Sequence, residues 1–270
     1  MKTNDELLSI QKEWQNKLYR EVFDNYKKNE TDKLSCAFSF GVSERYLNSD
    51  KKIMIVGQEA NGHSYDYAEW GIENENGLKK FQNWAVDYLD FQVYNENQNN
   101  RNFKINHSPF WKFCRDLAKE FGVCWNNIDK VRRYTRQDGV AFVEDYLLET
   151  RDSNKQKDRS ILHRKIFDNK SLLQKEIEIA KPDAVVFAIG RSWPYYHSLS
   201  LAFFDGAAVD KELNVCGVKY PDMKSGYYCV EIGEFLRLDI PAYYTYHPNY
   251  LLRKHCLDTV VDKICNPQKN

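Results

Sequence analysis

The stretch Lys181-Pro182-Asp183-Ala184-Val185-Val186-Phe187-Ala188-Ile189-Gly190 constrains the fold more than any other part of this chain. Its apolar run is far shorter than the ~18 residues of a membrane span. A Pro-Asp pair on one side and a glycine on the other bound it as a strand. A strand apolar on both faces belongs to a parallel sheet with helices on each side. Ile53-Met54-Ile55-Val56 ending at Gly57, Val123-Cys124-Trp125, and Ile240-Pro241-Ala242-Tyr243-Tyr244-Thr245-Tyr246 repeat the pattern. Residues 215–218 and 228–232 form a candidate hairpin.

Helical signals fall between these runs. Thr3 and Glu6 have capping-box spacing, and Ile10, Trp14, Leu18, Val22 and Tyr26 recur every four residues, which predicts a helix over about 3–28. Ser108-Pro109 is a helix start, with Phe113, Leu117 and Phe121 as its buried stripe. Ser171 to Ala180 is a further helix, closed by Lys181-Pro182. A final helix carries Leu252, Cys256, Val260 and Ile264. Alternating strands and helices predict an α/β protein, a three-layer α/β/α arrangement around a central, mainly parallel sheet of about four strands. Neither a repeat nor a linker divides the chain, so residues 1–270 are expected to form one domain. Within it, 62–106 reads as a long excursion, helical around Leu78 to Leu89; such segments tend to be lids or insertions.

Charge and cysteines narrow the function classes. The chain of 270 residues has 39 basic and 39 acidic side chains, so it exerts no global attraction on nucleic acid. Two local basic groups remain: Lys130, Arg132, Arg133 and Arg136, then Arg151, Lys155, Lys157, Arg159, Arg164 and Lys165. Seven cysteines are scattered without a C-x-x-C pair, which offers neither a zinc ribbon nor an iron–sulfur framework. Buried free thiols in a reducing compartment are the simpler reading, and a cytoplasmic protein without metal or membrane anchor is expected. Neither a G-x-S-x-G elbow nor a phosphate-cradling glycine loop occurs.

In an open parallel sheet, ligands bind beyond the carboxyl ends of the strands. Gln58, Glu59, Ala60, Asn61, Gly62 and His63 follow the first strand. Asn126, Asn127, Ile128, Asp129 and Lys130 follow the second; Arg191, Ser192 and Trp193 follow the third; and His247, Pro248, Asn249 and Tyr250 follow the last. A carboxylate, several amides, an imidazole and an arginine therefore converge on one sheet edge.

These four segments, in this order, resemble the motifs of the uracil-DNA glycosylase superfamily. Residues 53–62 are similar to its first motif, a strand entering Gly-Gln-Asp-Pro-Tyr or Gly-Glu-Ala-Pro-Gly. Residues 123–130 resemble the strand whose terminal Asn reads the base, 181–190 the Lys-Pro strand ending in glycine, and 244–253 the His-Pro motif. The chain departs from the pattern at Ala60, where a proline is usual, and at Asn61, where one register expects a tyrosine. It also lacks the cysteines of the iron–sulfur branches. The first motif fits in two registers, and the choice decides which residue is catalytic.

The resemblance implies a monofunctional DNA glycosylase that flips a base, hydrolyses its N-glycosidic bond and leaves an abasic site, with no cofactor. Glu59 would stabilise the cationic sugar and orient water, as a carboxylate does in glycoside hydrolysis; it could instead be a solvated or capping residue. His247 would donate to the leaving base, unless it is an N-capping or structural His, and Asn61 would contact base or water, unless Asn61-Gly62 is simply a turn. Asn127, Gln58 and Phe110 would bind the base, unless Asn127 is the one of the Asn126-Asn127 pair that caps the loop; Phe110 would do so by stacking, unless it packs in the core. Asn249, Tyr250, Leu251, Arg253, Arg191, Lys130 and Arg132 would contact DNA; Tyr250, Leu251 and Leu252 stand where the family places an intercalating wedge, and core packing is the equal alternative for each of the three. The altered first motif favours a modified or bulky base, such as a hypermodified phage cytosine removed in antiviral defence, over the plain uracil of DNA repair. The partner expected is DNA, without membrane or obligate protein partner. A module of the same fold that binds DNA or a modified base without cleaving it is the alternative.

Overall fold

A computed structural model describes residues 2–18, 32–34, 39–57, 76–94, 108–127, 132–137, 140–145, 167–190, 199, 202–204 and 229–267. In chain order the elements are α1 (Lys2–Leu18), β1 (Asp32–Leu34), α2 (Glu44–Leu47), β2 (Lys52–Gly57), α3 (Gly77–Tyr94), α4 (Pro109–Ala118) and β3 (Gly122–Asn127). Then come β4 (Arg132–Gln137), β5 (Val140–Asp145), α5 (Leu172–Ala180), β6 (Ala184–Phe187), β7 (Cys229–Glu231), β8 (Ala242–Thr245), α6 (Pro248–Arg253) and α7 (Leu257–Cys265).

The main sheet has five strands in the order β3-β2-β6-β8-β7. The first four are parallel, and β7 closes the edge antiparallel to β8. Ile53 to Val56, Val123, Cys124 and Val185 to Phe187 are 0% exposed, as strands covered on both faces require. Helices α1 and α5 cover one face, where Asn126 reaches Glu176. Helix α4 covers the other, where Trp111 packs on Trp125. The expected α/β/α fold is present, with one strand more than expected.

Local chemistry explains most boundaries. Ser108 caps α4 with Pro109 at the first position, and Ser171 with Gln174 forms a complete capping box on α5. Lys181 ends α5 in the left-handed region at φ 49.

Three readings are corrected, and a fourth lies partly outside the described residues. Helix α1 already includes Lys2, so Thr3 lies inside it rather than at its cap. Its buried face is Leu7, Leu8, Gln11, Trp14 and Gln15, one step round from the expected stripe, because it meets a polar interior. The final helix is two helices: His255 sits at φ 55 and the Cys256 N–H donates to Leu251 O at 3.1 Å, a terminating turn between α6 and α7. Of the candidate hairpin, residues 229–231 form β7 and pair with β8, and 215–218 lie outside the described residues.

Two elements differ from expectation by addition. Residues 131–170, read as a basic polar stretch, contain β4 and β5, which with β1 form a separate antiparallel sheet in the order β1-β4-β5. Asp138-Gly139 between two β-prone runs is the sequence signal of a short hairpin connection. The helix expected around 78–89 runs the full length of α3 and belongs to the core, with Leu78, Phe81, Ala85, Leu89 and Val93 buried. Phe81→Ala should therefore destabilise the protein by about 3–5 kcal/mol in urea denaturation. A change near zero would show that α3 is a detachable excursion.

Candidate functional site

The register of the parallel strands aligns their carboxyl ends. Gly57 pairs with Asn127, Val56 with both Asn126 and Phe187, and Phe187 with Tyr244. Beyond them, Ala188 and Ile189 stay buried and Gly190 turns at φ 80, its carbonyl accepting from the buried Tyr244 hydroxyl. Thr245 and Tyr246 lead β8 to His247. Asn127, Gly57, Gly190 and His247 thus stand along one edge.

An aromatic wall lines the α4 side of that edge. The Phe110 and His247 rings stack, with centroids 6.3 Å apart and planes 21° apart. Phe110 also meets Trp111 at 5.1 Å and Trp125 at 5.9 Å, both edge-on. Gly57 closes beneath them. A Cβ there would lie 2.9 Å from Trp125 Nε1 and 3.1 Å from Phe110 Cε2, so only glycine lets the indole and phenyl rings come this close. Phe110 is partly buried against the core, which is one of the two readings the sequence left open for it, and its ring also forms part of this wall.

His247 caps α6: its Nδ1 accepts from the Asn249 N–H at 3.3 Å. An accepting Nδ1 carries a lone pair, so the proton of the neutral ring sits on Nε2, which is left as a donor. Burial, which disfavours the charged ring, holds the His247 pKa below its ordinary value of 6.5. The imidazole is therefore neutral at pH 7. At the end of β3, with β2 and β6 between it and β8, Asn127 is 1% exposed and its Nδ2 has no hydrogen-bond partner among the described residues. A buried amide donor left unmade costs about 1–3 kcal/mol, which a ligand acceptor would recover. Asn127 shares a face of β3 with Trp125, by strand alternation, and hence the side of Phe110 and His247.

The remaining candidates separate. Asn249 and Arg253 are exposed on α6. Tyr250 is half-buried against Tyr246, ring centroids 5.0 Å apart, with Lys254 Nζ 5.7 Å from its ring. Leu251, expected at the DNA surface, is 0% exposed and belongs to the core; the helix turns Leu252 outward instead, at 43% exposed. Arg132 opens β4, opposite Asp145 of β5. Gln58, Glu59, Asn61, Lys130 and Arg191 lie outside the described residues. Cys114, Cys124, Cys229 and Cys256 are buried free thiols. Burial raises the Cys229 thiol to about 12, far from a reactive thiolate. Among the described residues, no three His, Cys, Asp or Glu side chains converge to hold a metal, and no helix is long and apolar enough to cross a membrane.

Sequence reading missed two participants. Trp125 read only as a strand residue, yet its indole forms the wall over Gly57. Glu176 is 0% exposed and bonds Asn126, the neighbour of Asn127. Its signal was available: it interrupts the apolar stripe of α5 formed by Leu172, Leu173, Ile177 and Ala180.

Two outcomes follow from this geometry. Gly57→Ala should push Phe110 and Trp125 apart, lower stability by about 1–3 kcal/mol and change tryptophan emission. An unchanged melting temperature and spectrum would contradict the packing. His247 should titrate below 6.5 by NMR, with Nδ1 unprotonated above that value. Because its folded pKa is depressed, its contribution to stability is present above about pH 6.5 and lost as pH falls through the folded value. A His247→Gln variant should lack that part of the acid-side loss. No family model and no curated protein matches the chain.

Proposed function

We propose that this protein is a monofunctional DNA glycosylase, which extrudes a base from DNA and hydrolyses its N-glycosidic bond. The observation that carries the reading is the pair of donors at the sheet edge. A neutral His247 with hydrogen on Nε2 and a buried Asn127 with an unpartnered Nδ2 flank the Phe110 and Trp125 rings. A flipped base needs a flat apolar wall for its ring and fixed donors for its edge.

The chemistry follows from where charge develops. As the bond to the sugar breaks, negative charge gathers on the leaving base and positive charge on the sugar. His247 Nε2–H donates to a carbonyl oxygen of the base. Being neutral, it stabilises that oxygen without first having to lose a proton. Asn127 Nδ2–H donates to the pairing edge. Glu59, two residues beyond the end of β2, supplies the carboxylate that stabilises the sugar cation and orients water, and Asn61 contacts base or water beside it.

The DNA-facing surface is the exposed side of α6 and the turn after it. Leu252 is the exposed large hydrophobic side chain among the described residues, and Arg253 and Lys254 beside it are exposed cations. An apolar tip followed by two cations suits a wedge in the base stack with phosphates beside it. The departures at Ala60 and Asn61 favour a modified or bulky base over uracil, in a cytoplasmic role that would include defence against phage DNA.

The test is abasic-site formation by the purified protein on uracil DNA and on DNA with hypermodified cytosines. His247→Ala and Asn127→Ala should each lower kcat about 10²–10³-fold. Leu252→Ala should weaken excision from duplex more than from single strands. Tight DNA binding with no abasic sites on any substrate would favour a module that recognises DNA without cleaving it.

A further inference from the structure

We propose that Glu176 is a positioning residue that locks the carboxyl end of β3 and so fixes where Asn127 presents its amide. The consequence for base excision rests on the function proposed above; the positioning itself does not.

Among the described residues, strand β3 is at the edge of the sheet and hydrogen-bonded to β2 alone. Its amino end is held twice more: the Gly122 N–H donates to Lys51 O at 2.7 Å, and the Val123 N–H donates outward to the Tyr94 hydroxyl of α3 at 2.8 Å. Its carboxyl end, where the site lies, is held through a side chain. Asn126 Nδ2 donates to Glu176 Oε2 at 2.5 Å. The other oxygen, Oε1, accepts from Gln11 Nε2 of α1 at 3.1 Å. Gln11 in turn accepts from Ser39 Oγ at 2.9 Å and donates to Phe40 O at 3.1 Å. Gln82 Nε2 of α3 donates to that same carbonyl at 2.9 Å. Asn126, Glu176 and Ser39 are 0% exposed, Gln11 2% and Gln82 3%.

A carboxylate buried this deeply carries a desolvation penalty that hydrogen bonds must offset, and an apolar residue at 176 would match its neighbours in the α5 stripe. What the carboxylate adds is a rigid acceptor for two amides from two different elements, which a leucine cannot supply. Alternation along β3 places Asn126 on the α5 face and Asn127 on the aromatic face. Pinning the first from behind sets the backbone from which the second projects.

Hydrogen exchange at single residues decides this, using Cys124 and Asn126, whose amides point toward β2 by alternation from Gly122. Glu176→Leu should speed exchange at Asn126 about tenfold or more relative to Cys124, because a strand end is released while the strand centre holds. Glu176→Gln should leave the ratio unchanged. Its amide can bond Asn126 Oδ1, which has no partner among the described residues, once the Asn126 amide turns over. If Glu176→Leu does not fold, Asn126→Ala cuts the same tie from the strand side and is read the same way. An equal rise at Cys124 and Asn126, or none at either, would overturn the proposal. If the wild-type protein excises a base, Glu176→Leu should also lose about 10²-fold in kcat while Glu176→Gln retains it. Wild-type protein without excision would refute the proposed function and leave the exchange result to judge the positioning.

Discussion

The parallel pairing of β3, β2, β6 and β8 is the constraint on which the rest of this molecule depends. Each strand is covered on both faces and can offer polar groups only where it stops. Because Gly57, Asn127, Phe187 and Thr245 end their strands near one level, the residues that follow meet along a single edge. A slip of one residue would turn Asn127 to the Glu176 face and Asn126 to the aromatic face, exchanging the tied amide for the open one.

That edge has two differently built sides. On the α4 side, rings pack edge-on and stacked around Gly57, and the polar groups His247 and Asn127 enter through them. On the α5 side, a continuous network of amides around Glu176 occupies the interior. The first arrangement leaves the Asn127 amide unspent among the described residues, as a binding surface must. The second uses both oxygens of a carboxylate to hold the frame, as a support must. Desolvation joins the two, since the same burial that depresses the His247 pKa makes every unmade donor beside it costly.

How much of this could be read from the residues alone differs by element. The β6 run, the Ser108 and Ser171 caps and the aligned strand ends were legible, because each is a local signal with one physical meaning. The break between α6 and α7 was not: Leu252, Cys256, Val260 and Ile264 keep helical spacing across it, and only the positive φ of His255 reveals that Leu251, not Leu252, faces the core. Strands β4 and β5 were hidden by arginines, although the Asp138-Gly139 pair stood between them. At the site, His247 and Asn127 were legible from their places after strands. Trp125 was not, because its role depends on the absent side chain of Gly57, and Glu176 was passed over as one charge among many.

The central claim is that this edge severs the bond between a base and its sugar. Mass spectrometry of the products from DNA of defined base content tests it most directly. The account predicts release of one intact free base, with the DNA strand unbroken and lighter by that base alone, and loss of this release in His247→Ala. A released nucleotide, a base altered while still attached, or unchanged DNA of every composition would contradict it.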